Sequence, residues 1–156
     1  MLDNYTICQR LELHEGLRLQ PYRCSRGKLT IGIGRNLEAN PITPEEELVV
    51  GDWRHGITKC MAVYLLLRDV QKIIAKLNKQ IKFFKQLDDE RQYALLDMAY
   101  NMGVGGLLKF KKMLLFMQKG DFEQASTECL NSRYAKDVKG RAERSAELIR
   151  TGVFKL

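Results

Sequence analysis

Glu15, Cys24 and Thr30 stand in the order E-x8-C-x5-T inside "HEGLRLQPYRCSRGKLTIGIG", residues 14–34. A carboxyl group, a thiol and a hydroxyl at this spacing could serve the hydrolysis of a glycosidic bond. That reaction needs a proton donor for the leaving oxygen. On the opposite face it needs a group that steers water or attacks the sugar. A partly buried glutamic acid can stay protonated and act as the donor. A threonine hydroxyl can hold a water. Spacing alone leaves a plainer alternative open, in which Glu15 closes a helix, Cys24 fills core and Thr30 is only a strand residue.

The surrounding elements decide whether the three can meet. Asp3 can cap a helix through about His14, with Ile7, Cys8 and Leu11 on one face. Gly16 stops it and leaves Glu15 at the helix end. "RGK" at 26–28 is a turn signal. "LTIGIGR" alternates, with Leu29, Ile31 and Ile33 on one side and Thr30, Gly32 and Gly34 on the other, so a small antiparallel sheet of two or three short strands is expected. "GIGRNL" lacks the third glycine of a dinucleotide loop and precedes no clear helix.

Residues 38–56 read as a loop with one helical turn after Thr43-Pro44. Thr58 is a candidate N-cap for a long helix to about Asn78, roughly 30 Å in length. Further helices are expected near 81–87, 89–102, 107–119, 121–131 and 138–150. The sum is an α+β fold, mostly α, with a small sheet, a long helix and a helical C-terminal part.

The chain has 156 residues and a net charge of +7. Such charge suits an anionic polymer (nucleic acid, acidic lipid or the acidic bacterial wall) or no more than a soluble surface. The longest apolar run, "MAVYLLL" at 61–67, ends at Arg68, so a membrane span is not expected. The N-terminus shows an early Asp3 and no apolar core of signal-peptide length, so no secretory signal is expected. Cys8, Cys24, Cys60 and Cys129 form no CxxC pair, and free thiols are expected. His14 and His55 lie far apart and make no metal case. No helix-turn-helix spacing supports nucleic-acid binding.

"LELHEGLRLQPYRCSRGKLTIGIGRNL" (11–37) resembles the catalytic segment of the phage-type lysozymes, the endolysin family of muramidases that includes the T-even phage enzyme. The likeness continues in "ALLDMAYNMG" (94–103), "FKKMLLFMQKGDFEQA" (110–125), "SRY" (132–134) and "GRAERSAELIRTG" (140–152). It implies a two-lobe lysozyme-like domain over 1–156, with the cleft between the lobes. The N-terminal lobe would span about 13–58 and the linking helix about 58–78. A helical lobe of about 79–156 would pack with helix 3–14. It also implies hydrolysis, by inversion in the family's manner, of the β-1,4 bond between N-acetylmuramic acid and N-acetylglucosamine, without metal or cofactor.

In this resemblance Glu15 matches the general acid and Thr30 the threonine that positions water. Cys24 falls where the best-known members carry aspartate, and some members carry cysteine. Three roles stay open for it: a stand-in whose thiolate accepts from water, a nucleophile, or a decayed position in a wall binder. Arg18, Arg23 or Arg26 could favour its thiolate. Arg141 matches an arginine that pairs with the catalytic glutamate. Tyr100 and Asn101 match glycan contacts, and Asn36 falls near one. Arg35 stands where the T-even enzyme has histidine, and Asp69 matches that histidine's acidic partner, so an Arg35–Asp69 ion pair is expected. The implied partner is peptidoglycan, met by a monomer without nucleic-acid binding or membrane insertion. The implied place is the host bacterial cytoplasm until a holin opens the way to the wall. The alternative is a weak or inactive peptidoglycan-binding homologue.

Overall fold

The computed structural model describes residues 1–156. The chain forms two compact units: Asp3–Gln71, and Met1–Leu2 with Lys72–Leu156. The fold is α+β and mostly α.

In the first unit α1 (Asn4–Glu15) starts at Asp3, whose side chain accepts from Thr6 N–H. It ends where Gly16 takes a positive φ. Three strands follow: β1 (Arg18–Arg23), β2 (Leu29–Gly32) and β3 (Arg35–Asn36), paired antiparallel in the order β1-β2-β3. The alternating run at 29–35 does not continue as one strand. Gly32 (φ 66°) and Gly34 (φ 68°) let the chain turn between β2 and β3, a conformation costly for residues with a Cβ.

The expected single helical turn after Thr43 is the seven-residue α2 (Pro44–Val50). A reciprocal capping box between Thr43 and Glu46 starts it. A short 3-10 turn, Trp53–His55, leads to α3 (Lys59–Gln80). The helix α1 falls within the Asp3–Gln71 unit. Gly16 ends α1 two residues before β1 begins.

The second unit is helical: the end of α3, a 3-10 turn at Phe84–Gln86, α4 (Asp89–Leu108), α5 (Lys111–Gln118), α6 (Phe122–Leu130), α7 (Arg133–Asp137) and α8 (Lys139–Thr151). Every residue of α4 from Gln92 to Ala99 is buried, as befits a helix that is apolar nearly all round. α8 packs on α4, α6 and α7, and α6 packs on α5. The expected break after residue 102 is a kink inside α4, where Gly103 leaves helical geometry (φ 81°, ψ 156°).

Candidate active site

Glu15 occupies the last residue of α1 and is half-buried. Gly34 in the β2–β3 turn lies against it. A Cβ on Gly34 would stand 2.6 Å from Glu15 Oε2, 2.9 Å from Cδ and 3.0 Å from Cβ. The glycine therefore lets the backbone form one wall of the Glu15 carboxyl. Gly34→Ala is expected to push that carboxyl aside and, with Glu15 as the proton donor the resemblance implies, to cut lysis of bacterial walls by about 10²-fold, the scale of an ~1 Å misplacement. Assays paired with thermal melts check this. Undiminished lysis would show that Glu15 needs no such wall.

Cys24 sits at the mouth of the β1–β2 hairpin. Its N–H donates to Lys28 O (3.0 Å), and Gly27 N–H donates to Cys24 O (2.8 Å). Gly27 has φ 74°, which gives the three-residue loop of a turn followed by a left-handed glycine. Arg23 Nη1 donates to Gly27 O at 2.9 Å and secures the turn.

N–H groups of Lys28 and then Arg26 hold the Cys24 thiol below its ordinary range, against a small opposing effect of burial. Thr30 is buried on β2, and its hydroxyl donates to Lys28 O at 2.9 Å. Cys8 and Cys129 go the other way: burial raises both, Cys129 to about 12. All four thiols are free.

Tyr22 joins the group. Burial and then the nearby charges of Glu15 and Cys24 raise its phenol, while Arg18 lies over its ring at 4.6 Å. Of the expected catalytic residues, Cys24 and Thr30 meet at Lys28, whose carbonyl accepts from the Cys24 N–H and from the Thr30 hydroxyl, and the charge of Glu15 is felt at Tyr22.

Asn36 uses its side-chain oxygen locally, accepting from Glu38 N–H (3.0 Å) and Ala39 N–H (3.1 Å). Its Nδ2 is what remains for a sugar.

The expected Arg35–Asp69 ion pair is present, with Nη1 3.0 Å from Oδ1. It is part of a larger hub. Arg35 Nη2 meets Glu46 Oε2 at 2.7 Å, while Nε and Nη2 donate to the carbonyls of Asn40 (2.7 Å) and Pro41 (3.0 Å). Glu46 also takes Arg68 Nε at 3.1 Å, and Asp69 takes Asn40 Nδ2 at 2.9 Å. Every guanidinium N–H of Arg35 has an acceptor, which histidine could not match. Glu46 escaped the sequence reading, although T-x-x-E at 43–46 marks its capping role.

In the helical unit, Arg141 on α8 grips Asp97 of α4, Nη2 to Oδ1 at 2.7 Å and Nε to Oδ2 at 3.1 Å. Asp97 was also missed. Its signal was a carboxylate inside the apolar run "ALLDMA". Tyr100 is half-buried, and Asn101 Oδ1 is buried with no donor.

The profile of the phage lysozymes matches residues 12–148. The chain belongs to the phage lysozyme family. It is 28% identical to probable T4-type lysozyme 1 of Dictyostelium discoideum over 96% of both chains. It is 29% identical to an endolysin of Acyrthosiphon pisum secondary endosymbiont phage 1, over 81% of this chain and 76% of that one. It is 35% identical to the pre-baseplate central spike protein Gp5 of Enterobacteria phage T4 over 96% of this chain, yet spans only 28% of that protein. No helix is long and apolar enough to cross a membrane.

Proposed function

We propose that this phage lysozyme relative is a muramidase, cleaving the β-1,4 bond between N-acetylmuramic acid and N-acetylglucosamine in peptidoglycan. Glu15 donates its proton to the glycosidic oxygen as the C1–O bond breaks. Water attacks C1 from the opposite face, steered by Thr30, and gives its proton to the Cys24 thiolate. The new N-acetylglucosamine hydroxyl leaves, and Glu15 and Cys24 exchange the proton with solvent. The anomeric centre inverts, because no enzyme–sugar bond forms. Cys24 fills the role of a carboxylate.

The observation that carries this reading is the hairpin turn itself. Its backbone N–H groups, of Lys28 and then Arg26, favour the charged form of the Cys24 sulfur. A decayed position would need no such arrangement.

Release of reducing ends from peptidoglycan by wild type, Cys24→Asp and Cys24→Ala between pH 5 and 8 tests it. Wild-type activity should climb with pH as the thiol ionises. Cys24→Asp should stay active at the acid end, since an aspartate titrates near 4, and Cys24→Ala should lose about 10²-fold or more. No reducing ends from wild type, with gain in Cys24→Asp, would make the natural protein a binder instead.

A further inference from the structure

The net charge of +7 is not spread along the chain. Asp3–Gln71 carries nine Lys or Arg against nine Asp or Glu and is neutral. The helical unit carries seventeen against ten, and so holds all of the excess. Residues 72–87 contain five lysines and no acid: Lys72, Lys76, Lys79, Lys82 and Lys85. Residues 98–120 contain four more, again with no acid: Lys109, Lys111, Lys112 and Lys119. All nine are exposed. Leaving Lys72 aside, none of them reaches a carboxylate, whereas Arg91, Arg141 and Arg150 are each engaged by one. The unspent cations of these stretches are ammonium groups.

The two stretches meet at a groove of about 490 Å³. Its lining includes Phe83, Phe122, Gln86, Gln118 and Lys119, with the Arg91 guanidinium covering one face of the Phe122 ring at 3.6 Å. Lys82 and Lys85 immediately precede the lining residues Phe83 and Gln86 in the chain. Asp88 also lines it, but Arg91 Nη1 holds that carboxylate at 2.8 Å. Rings suit the apolar faces of sugars, amides suit hydroxyls, and ammonium groups suit phosphate. Along α3, Lys72, Lys76 and Lys79 follow at i, i+4 and i+7, a stripe about 10 Å long. Lysine is a hydrated point charge, tolerant of register. A membrane surface fits less well. Between Lys72 and Lys119 the one large apolar side chain that is strongly exposed is Leu115.

We propose that this lysine face docks the phosphate-bearing saccharide polymer of the bacterial wall, with the groove taking one sugar–phosphate unit. The proposal rests on the wall reading of function but concerns adhesion, not bond cleavage. The neutral unit carries the candidate catalytic group, and the charged unit supplies the hold.

Binding is measured to walls with their phosphate polymer intact and to the same walls stripped by hydrofluoric acid. Glu15→Gln protein is used so that the walls are not consumed. Intact walls should bind about tenfold tighter than stripped ones, with log affinity falling linearly in log salt. Lys82→Gln/Lys85→Gln/Lys119→Gln should bind intact walls no better than stripped ones. Arg54→Gln/Lys59→Gln in the neutral unit should bind as the parent does. Equal binding to both wall preparations would overturn the proposal. So would an equal loss in the Arg54/Lys59 variant, or stronger competition by phosphatidylglycerol vesicles or duplex DNA at equal phosphate. Cleavage of a short soluble glycan by the same variants, made with Glu15 intact, is read separately. A failure of the muramidase reading would show there and not in the binding.

Discussion

Glu15→Gln is expected to lower wall lysis by about 10³-fold, within the range that positioned acid catalysis supplies. The amide has nearly the same shape as the carboxylic acid, so it fits against Gly34 as the native side chain does. It has no proton to give to a departing oxygen. The unfolding midpoint should stay within about 2 °C of wild type, since no packing is lost. Binding to walls should persist. This pattern separates loss of chemistry from loss of fold. Lysis retained at a tenth of wild type or more would remove Glu15 from the role of acid.

Arg35→Met should give the largest loss of stability. Arg35 and Glu46 are 2% and 0% exposed, and Asp69 is 7% exposed. Removing the cation leaves two carboxylates in the interior with too few donors. Breaking a buried pair from one side costs about 3–5 kcal/mol. Urea unfolding checks this, and adding Glu46→Gln and Asp69→Asn should recover much of the loss by removing the stranded charge.

The same hub sets a pH dependence. Burial opposes ionisation of Glu46, but hydrogen bonds from Arg35 and from the Thr43 N–H, the Arg35 charge and a bond from Arg68 overcome it. They hold the carboxyl at about 2, against an ordinary 4.5. A carboxylate lowered by folding stabilises the protein above its unfolded value, and that stabilisation fades as pH falls through the folded value. Wild type should therefore lose stability between about pH 5 and pH 2, and Arg35→Met should lose less over that window. Parallel slopes would show that the hub does not set the acid limit.

The sequence disclosed most of the local structure, and the reasons are physical. Asp3 and Gly16 bracket α1 because capping and left-handed turns tolerate few residue types. Thr58 precedes α3 as expected. Gly27 marks the hairpin turn. The Arg35–Asp69 pair was legible only through resemblance, since nothing in their separation of 34 residues announces contact. Glu46 was missed because three consecutive glutamates open α2 and only one turns inward, a choice made by the buried guanidinium. Asp97 was missed because its partner lies 44 residues away on another helix. Gly34 was read as a strand residue. Its use, leaving room for the Glu15 carboxyl, exists only once the helix end and the turn are adjacent. The amides around Cys24 are backbone groups, which no side-chain motif reports.

The Arg35 hub draws on β3, the segment through Pro41, α2 and α3 at once. None of these can detach alone without leaving an ion uncompensated in the interior. Partial opening is therefore nearly as costly as complete opening, and these elements form a single cooperative block. The hydrogen-bonded amides of α2 and of α3 around Asp69 should then exchange with solvent only when that block opens as a whole. The Asp3–Gln71 unit can thus hold its candidate catalytic group on an all-or-none scaffold.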